Sequence, residues 1–255
     1  MKLAAIFNVF KDSVEFLPHS LNCIKGHVDE VIIVYQTTSN YGETVEEYEF
    51  FSENFIENVF TNTVFTYVKY HPNFSFSGSM NERLKRNLGL EVAKSSGCTH
   101  FVMMDCDELW EDFGKAKKEF IESGAVGSVA RMFTYFKKPT YRFKDYDNYY
   151  VPFIFELLPK TEVGNYDLLS CGKKAICDPT RKPNHYFNCH IINEPMHHFS
   201  WVREDIMMKV RNSSAKGNIA NSRRLEDYNH PECGPGYFVK DFNQELIEVE
   251  NIFNL

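Results

Sequence analysis

The chain has 255 residues, 43% of them hydrophobic and 15% aromatic, which is enough apolar surface to pack one large α/β domain. A formal net charge of -7 excludes an extended nonspecific nucleic-acid surface, because displacing counterions needs an excess of Lys and Arg. No apolar run reaches transmembrane length, no small-residue cleavage site follows the opening LAAIFNVF, and the seven irregularly spaced cysteines read as reduced thiols, so a cytoplasmic protein is expected.

Leu3 to Val9 reads as an apolar strand. Asp12 and Glu15 have capping-box spacing ahead of Phe16, Leu21 and Ile24, which predicts a helix that starts or kinks at Pro18 and ends at Gly26. Val31 to Tyr35 is a β-branched run, so a second buried strand closes a βαβ unit. Val45, Tyr48, Phe51, Phe55 and Val59 mark an acidic amphipathic helix, and Val64 to Tyr70 a third strand. Ser79 and Glu82 again have capping-box spacing. Met80, Leu84, Leu88 and Val92 then place an apolar stripe on a helix that stops at Gly97, leaving Arg83, Arg86 and Asn87 off the stripe. Phe101 to Met104 is a short continuous apolar run, the pattern of a sheet strand covered on both faces. That strand completes a doubly wound half of about 110 residues. Helical spacing continues at Leu109, Phe113, Ala116 and Phe120, and Val126 to Tyr135 returns to strand.

Beyond Lys137 the aromatic residues of PTYRFKDYDNYYVPFIF serve either as core or as a platform for sugar rings or bases. From Trp201 a helical pattern resumes with Val202, Ile206 and Val210, and ELIEVENIF reads as a last docking helix. Arg203, Lys209, Arg211, Lys216, Arg223 and Arg224 concentrate positive charge in one segment, as a solvated helix face or as counter-charge for phosphate.

Asp105, Asp107 and Glu108 follow the Phe101 strand at once. Ligands of open α/β sheets bind beyond the carboxyl ends of the strands, so these acids are expected to converge on a crevice, where they repel one another unless a cation joins them. Asp145 and Asp147 have the same spacing but no apolar strand before them, and read as loop without a metal role. Cys171 and Cys177 lack a matching pair for zinc.

With its opening βαβ, KRNLGLEVAK at Lys85 to Lys94, MMDCDEL at Met103 to Leu109, and the later EPMHHFSWVREDI, the chain resembles the GT-A glycosyltransferases, particularly the family 2-like branch. The resemblance implies a GT-A, Rossmann-like sandwich with a mixed central sheet. One domain of residues 1–255 would comprise a nucleotide-sugar-binding half (1–135) and an acceptor half with C-terminal helices (136–255). In that family the D-x-D motif touches the nucleotide sugar and holds a divalent cation, Mn²⁺ or Mg²⁺, against its diphosphate. Carried over by position, Asp105 faces the ribose or sugar and joins the metal, Asp107 ligates it directly, and His198 rather than His197 is the late imidazole ligand. Asn8 at the end of the first strand would contact the nucleoside. Gln36 stands where an Asp usually reads the base.

Arg203 and Lys209 are diphosphate candidates, while Arg83 and Arg86 are either solvent-exposed charge or lie near the nucleotide. An inverting reaction needs a base on the acceptor side, Glu194 or its rival Glu156; a retaining one demotes both. The implied partners are a nucleotide-diphosphate sugar, a UDP-sugar favoured, and a hydroxyl acceptor, whether glycan, modified DNA base or protein. The alternatives are a nucleotidyltransferase, though NVFKDSVEF lacks the glycine-rich loop usual there, and a non-catalytic carbohydrate-binding module on the same fold.

Overall fold

The computed structural model describes residues 1–45, 63–170, 172–184, 189–213 and 219–255. Their centre is an eleven-stranded mixed sheet. Its strands are β1 (Leu3–Val9), β2 (Glu30–Tyr35), β3 (Val64–Lys69), β4 (His100–Asp105), β5 (Glu108–Trp110), β6 (Gly127–Phe136), β7 (Tyr141–Phe143), β8 (Tyr150–Glu156), β9 (His190–Trp201), β10 (Phe238–Val239) and β11 (Gln244–Glu248). The helices are α1 (Leu17–Ile24), entered through a 3₁₀ turn at Lys11–Phe16, α2 (Gly78–Ser95), α3 (Phe113–Ser123), α4 (Ile206–Asn212) and α5 (Ile219–Asn229). None of the described helices is long and apolar enough to cross a membrane.

The α/β class with a mixed central sheet is as the sequence indicates. Strands β4, β1, β2 and β3 lie side by side and parallel, and β8 joins β4 antiparallel. From β1 the chain moves outward to β2 and β3, then returns through α2 to place β4 on the other side of β1. The order therefore reverses between β1 and β4, and a crevice forms beyond their carboxyl ends. Both faces of β1 are covered, which is why its seven residues are buried without alternation. Leu3, Ala5, Phe7 and Val9 pack with Leu17, Leu21, Phe113 and Phe120 in one cluster, while Ala4 and Ile6 pack with Leu90 and Ala93 in a second. A third cluster around Phe136, Phe143, Trp201 and Leu246 joins the C-terminal strands to the sheet.

Several elements differ from their sequence reading. Helix α2 is capped by Ser77, whose hydroxyl accepts the Met80 N–H at 3.2 Å, two residues before the expected cap. Its buried face is Asn81, Lys85, Arg86, Gly89, Leu90 and Ala93, with the Met80–Leu84–Leu88–Val92 stripe only partly covered. Gly89 causes that rotation: a Cβ there would stand 2.4 Å from Ile6 Cγ2 and 3.1 Å from Val34 Cγ2, so only glycine lets the helix lie this close to β1 and β2. Leu109 belongs to a strand, and helix α3 starts later, with Asp112 accepting the Lys115 N–H at 2.8 Å. Trp201 ends β9, so helix follows only from Ile206. ELIEVENIF supplies β11, whose Leu246 pairs with Phe143 on β7, and is no helix. Glu15 caps no helix; Ser13 Oγ accepts the Phe10 N–H at 3.3 Å instead. The helix expected over Tyr48 to Val59, Cys171 and Lys216 lie outside the described residues.

Candidate active site

Asn8 on β1 and Asp105 on β4 are register partners at the carboxyl ends of the two strands where the sheet order reverses. They line a cleft of about 250 Å³ with Asp12, Gln36, Arg86, Asp107, His198, Arg203 and Lys209 among its walls. Of the residues expected at the site, the fold brings together Asn8, Gln36, Arg86, Asp105, Asp107, His198, Arg203 and Lys209. Both amide atoms of Asn8 are buried with no hydrogen-bond partner among the described residues, which leaves donor and acceptor capacity for a ligand.

The turn from β4 to β5 is fixed from three directions. The Asp105 N–H donates to Glu108 Oε2 at 3.1 Å, Ser20 Oγ donates to the Glu108 carbonyl at 2.8 Å, and the Phe199 N–H on β9 donates to the Asp107 carbonyl at 2.8 Å. The β5–β9 ladder pairs Glu108 with His198 and Leu109 with His197. Side chains alternate along a strand, so the two histidines face opposite ways. His198 turns its imidazole to the cleft, with Nε2 3.8 Å from Asp107 Oδ1. His197 turns into the core, where its Nδ1 meets the Tyr135 hydroxyl at 2.9 Å and burial, with Arg142 nearby, pushes its pKa down to about 4.

Each acid is met by cations. Asp105 takes Arg86 at 2.9 Å and Arg181 at 3.4 Å, and Arg86 also reaches Glu82 at 3.4 Å. Asp107 is bonded by Arg203 and has Lys209 Nζ 3.6 Å from Oδ2. Burial opposes ionisation of both carboxyls, but these cations outweigh it and hold them below the usual carboxylate range. Arg203 also covers the Phe16 ring at 4.6 Å from its centroid. Glu108 turns away from this cleft to pair with Arg181, whose Nη2 donates to Glu108 Oε2 at 3.0 Å and to the Met103 carbonyl at 2.5 Å. Asp12, half-buried in the wall, has its pKa raised by burial.

Among the described residues no three His, Cys, Asp or Glu side chains are gathered as a metal site. Asp105 is committed to two guanidiniums, so the expected trio is not formed. Asp107 Oδ1 and His198 Nε2 remain, and their 3.8 Å gap is too long for a hydrogen bond. One carboxylate plus one imidazole suits a divalent cation that takes its remaining oxygens from a bound phosphate, and the imidazole tilts the choice from Mg²⁺ to Mn²⁺.

The structure places three sequence candidates elsewhere. Glu194 is a buried residue of β9 outside the cleft, its carboxylate taking Lys115 at 2.6 Å. Glu156 stands at the far end of β8, opposite His100. Arg83 points back along its own helix to Met80 Sδ at 3.2 Å and does not line the cleft. Conversely, the sequence reading missed Arg181, Asp178 and Ser200. Asp178 and Arg181 come from CDPTR, where an Asp-Pro turn was the only signal. Asp178 Oδ1 accepts the Thr180 N–H and hydroxyl, each at 2.7 Å.

A second groove of about 540 Å³ opens from the first, and Asp105, Asp178, His198 and Ser200 line both.

No family model and no curated protein matches the chain. Among solved structures it is similar to S. aureus TarS 1-349 in complex with UDP, at 16% identity and TM-score 0.37 over 52% of this chain and 36% of that one. The same TarS segment in complex with UDP-GlcNAc gives 17% identity and TM-score 0.37, over 52% of this chain and 35% of that one. The match thus spans about a third of the TarS segment's length.

Proposed function

We propose that the chain is a GT-A-type glycosyltransferase that moves a sugar from a nucleotide diphosphate, a UDP-sugar by preference, to a hydroxyl acceptor with inversion. The observation that carries this reading is the pair of clefts meeting over Asp105, Asp178, His198 and Ser200 at the reversal of strand order, because group transfer needs two substrates to meet at one point.

In this reading Asn8 and Gln36 contact the nucleoside, and Arg203 and Lys209 hold the diphosphate. Arg86 and Arg181 keep Asp105 ionised and oriented towards the ribose or sugar. A divalent cation, Mn²⁺ or Mg²⁺, held by Asp107 and His198, would neutralise charge on the departing diphosphate. Arg203 is well suited to share that work: its Nε and Nη1 are buried without hydrogen-bond partners among the described residues.

Asp178 is the base in this scheme, in place of Glu194 and Glu156. Its Oδ1 is held by Thr180, which leaves Oδ2 to take the acceptor's proton. The acceptor oxygen forms the new bond to the anomeric carbon as the bond to the diphosphate breaks. The electron pair of that bond leaves with the diphosphate.

Calorimetric titration with UDP, GDP, CDP, ADP and dTDP, each with Mn²⁺, tests the reading. One diphosphate, UDP first, should bind with micromolar affinity and lose at least tenfold in Arg203→Lys, which keeps the charge but not the fork. Binding of none of them would overturn it.

A further inference from the structure

The groove beyond Asp178 has a composition that selects its ligand. Its lining includes five carboxylates, Asp105, Glu108, Asp147, Asp178 and Asp241, against two guanidiniums, Arg181 and Arg224. Both guanidiniums lie against carboxylates. Arg181 serves Glu108, Asp105 and the Met103 carbonyl. Arg224 lies 3.5 Å from Asp241 and 4.6 Å from the Phe242 ring centroid. Among the described residues five carboxylates against two guanidiniums leave the lining with an excess of negative charge. Arg131 and Lys144 line only an adjoining hollow.

What the groove does offer is hydrogen-bond acceptors and an aromatic wall. Asp147 is fixed by the Thr134 hydroxyl at 3.1 Å and the Tyr149 N–H at 3.1 Å. Tyr149 is 47% exposed at the rim, a large ring left open to solvent where sugar C–H faces could stack. Carboxylates that accept from hydroxyls, set beside an aromatic face, match a polyol ring. They repel a phosphodiester.

We propose that this groove is the acceptor site and takes an uncharged, hydroxyl-rich saccharide, to the exclusion of phosphate-linked polymers, whether nucleic acid or polyol phosphate. The inference rests on the transferase reading above, which brings the donor sugar to the shared rim. A ring stacked on Tyr149 and hydrogen-bonded to Asp147 lies in the same groove as Asp178.

The test uses the full chain with Mn²⁺ and whichever nucleotide sugar it hydrolyses. Methyl hexosides and neutral disaccharides should accelerate diphosphate release at least tenfold over hydrolysis. Polyribitol phosphate, polyglycerol phosphate and an oligonucleotide bearing hydroxymethylated pyrimidines should give no acceleration. Tyr149→Ala should raise the acceptor KM at least tenfold while the donor KM changes less than twofold. Acceleration by a phosphate-linked acceptor, or by no neutral saccharide, overturns the proposal while leaving donor hydrolysis, and so the transferase reading, intact. An unchanged acceptor KM in Tyr149→Ala overturns it too. Failure to hydrolyse any nucleotide sugar overturns the transferase reading, and the proposal with it.

Discussion

His198 Nε2 on β9 and Asp107 Oδ1 in the β4–β5 turn stand 3.8 Å apart, with Arg203 and Lys209 on the other carboxylate oxygen. Two fixed positive charges beside this donor pair oppose a lone divalent cation, and a bound diphosphate reverses that balance. Mn²⁺ should therefore bind weakly to the chain alone and at least tenfold more tightly with UDP present, and UDP should gain the same factor from Mn²⁺. Titrations in both orders check the equality. His198→Ala should remove the coupling and His197→Phe should keep it; equal loss in both would set aside the assignment of His198.

Asp107 is 2% exposed and bonded to a buried Arg203, so its replacements separate charge from structure. Asp107→Ala strands the guanidinium and should cost about 3–5 kcal/mol of stability, read by chemical denaturation. Asp107→Asn keeps a hydrogen-bond acceptor for Arg203 and should unfold closer to the wild type. Its transfer rate should nevertheless fall by about a hundredfold or more, because the amide cannot supply the charge. An active Asp107→Asn enzyme would remove Asp107 from the chemistry.

Asp178→Asn should lower transfer by about two to four orders of magnitude with donor affinity nearly unchanged. Glu194→Gln should leave transfer intact. Its stability should change little, since Lys115, its ion-pair partner, is exposed and the pair is screened. Rates measured for both variants decide between them: a silent Asp178→Asn with a dead, folded Glu194→Gln would return the base to β9.

His197 sets a pH dependence of stability. Buried, it titrates at about 4, against about 6.5 for an unfolded imidazole. Between those values the unfolded chain binds a proton that the folded chain does not, so stability rises with pH and falls as the medium is acidified. The loss should begin below about pH 6.5 and level off near pH 4, for a total of about 3 kcal/mol. His197→Phe, measured over the same range, should flatten that part of the profile.

The opening βαβ, the buried strand at Phe101 and the acids after it were legible because each is written in consecutive residues: β-branched runs, a glycine stop, an apolar run that ends in carboxylates. The buried face of α2 was not. Its apolar stripe points to Met80 and Leu84, whereas the sheet takes Lys85 and Arg86 because Glu82 and Asp105 pair with them and Gly89 permits the approach. ELIEVENIF carries apolar residues at both periods, and only a partner strand, β7, decides for strand. Which of the two histidines faces the cleft is a matter of strand parity, set by the register against Leu109 and Glu108. Arg181 and Asp178 lie in a loop without periodicity, so nothing local announced that one would neutralise the acid cluster and the other join two clefts.

Release of nucleoside diphosphate from a panel of nucleotide sugars, followed with wild type and Asp107→Asn side by side in Mn²⁺ and again in chelator, tests the central claim most directly. The account expects slow release from one donor class by the wild type, lost in the variant and lost in chelator. Release at equal rates by both proteins, or from no donor at all, would contradict it.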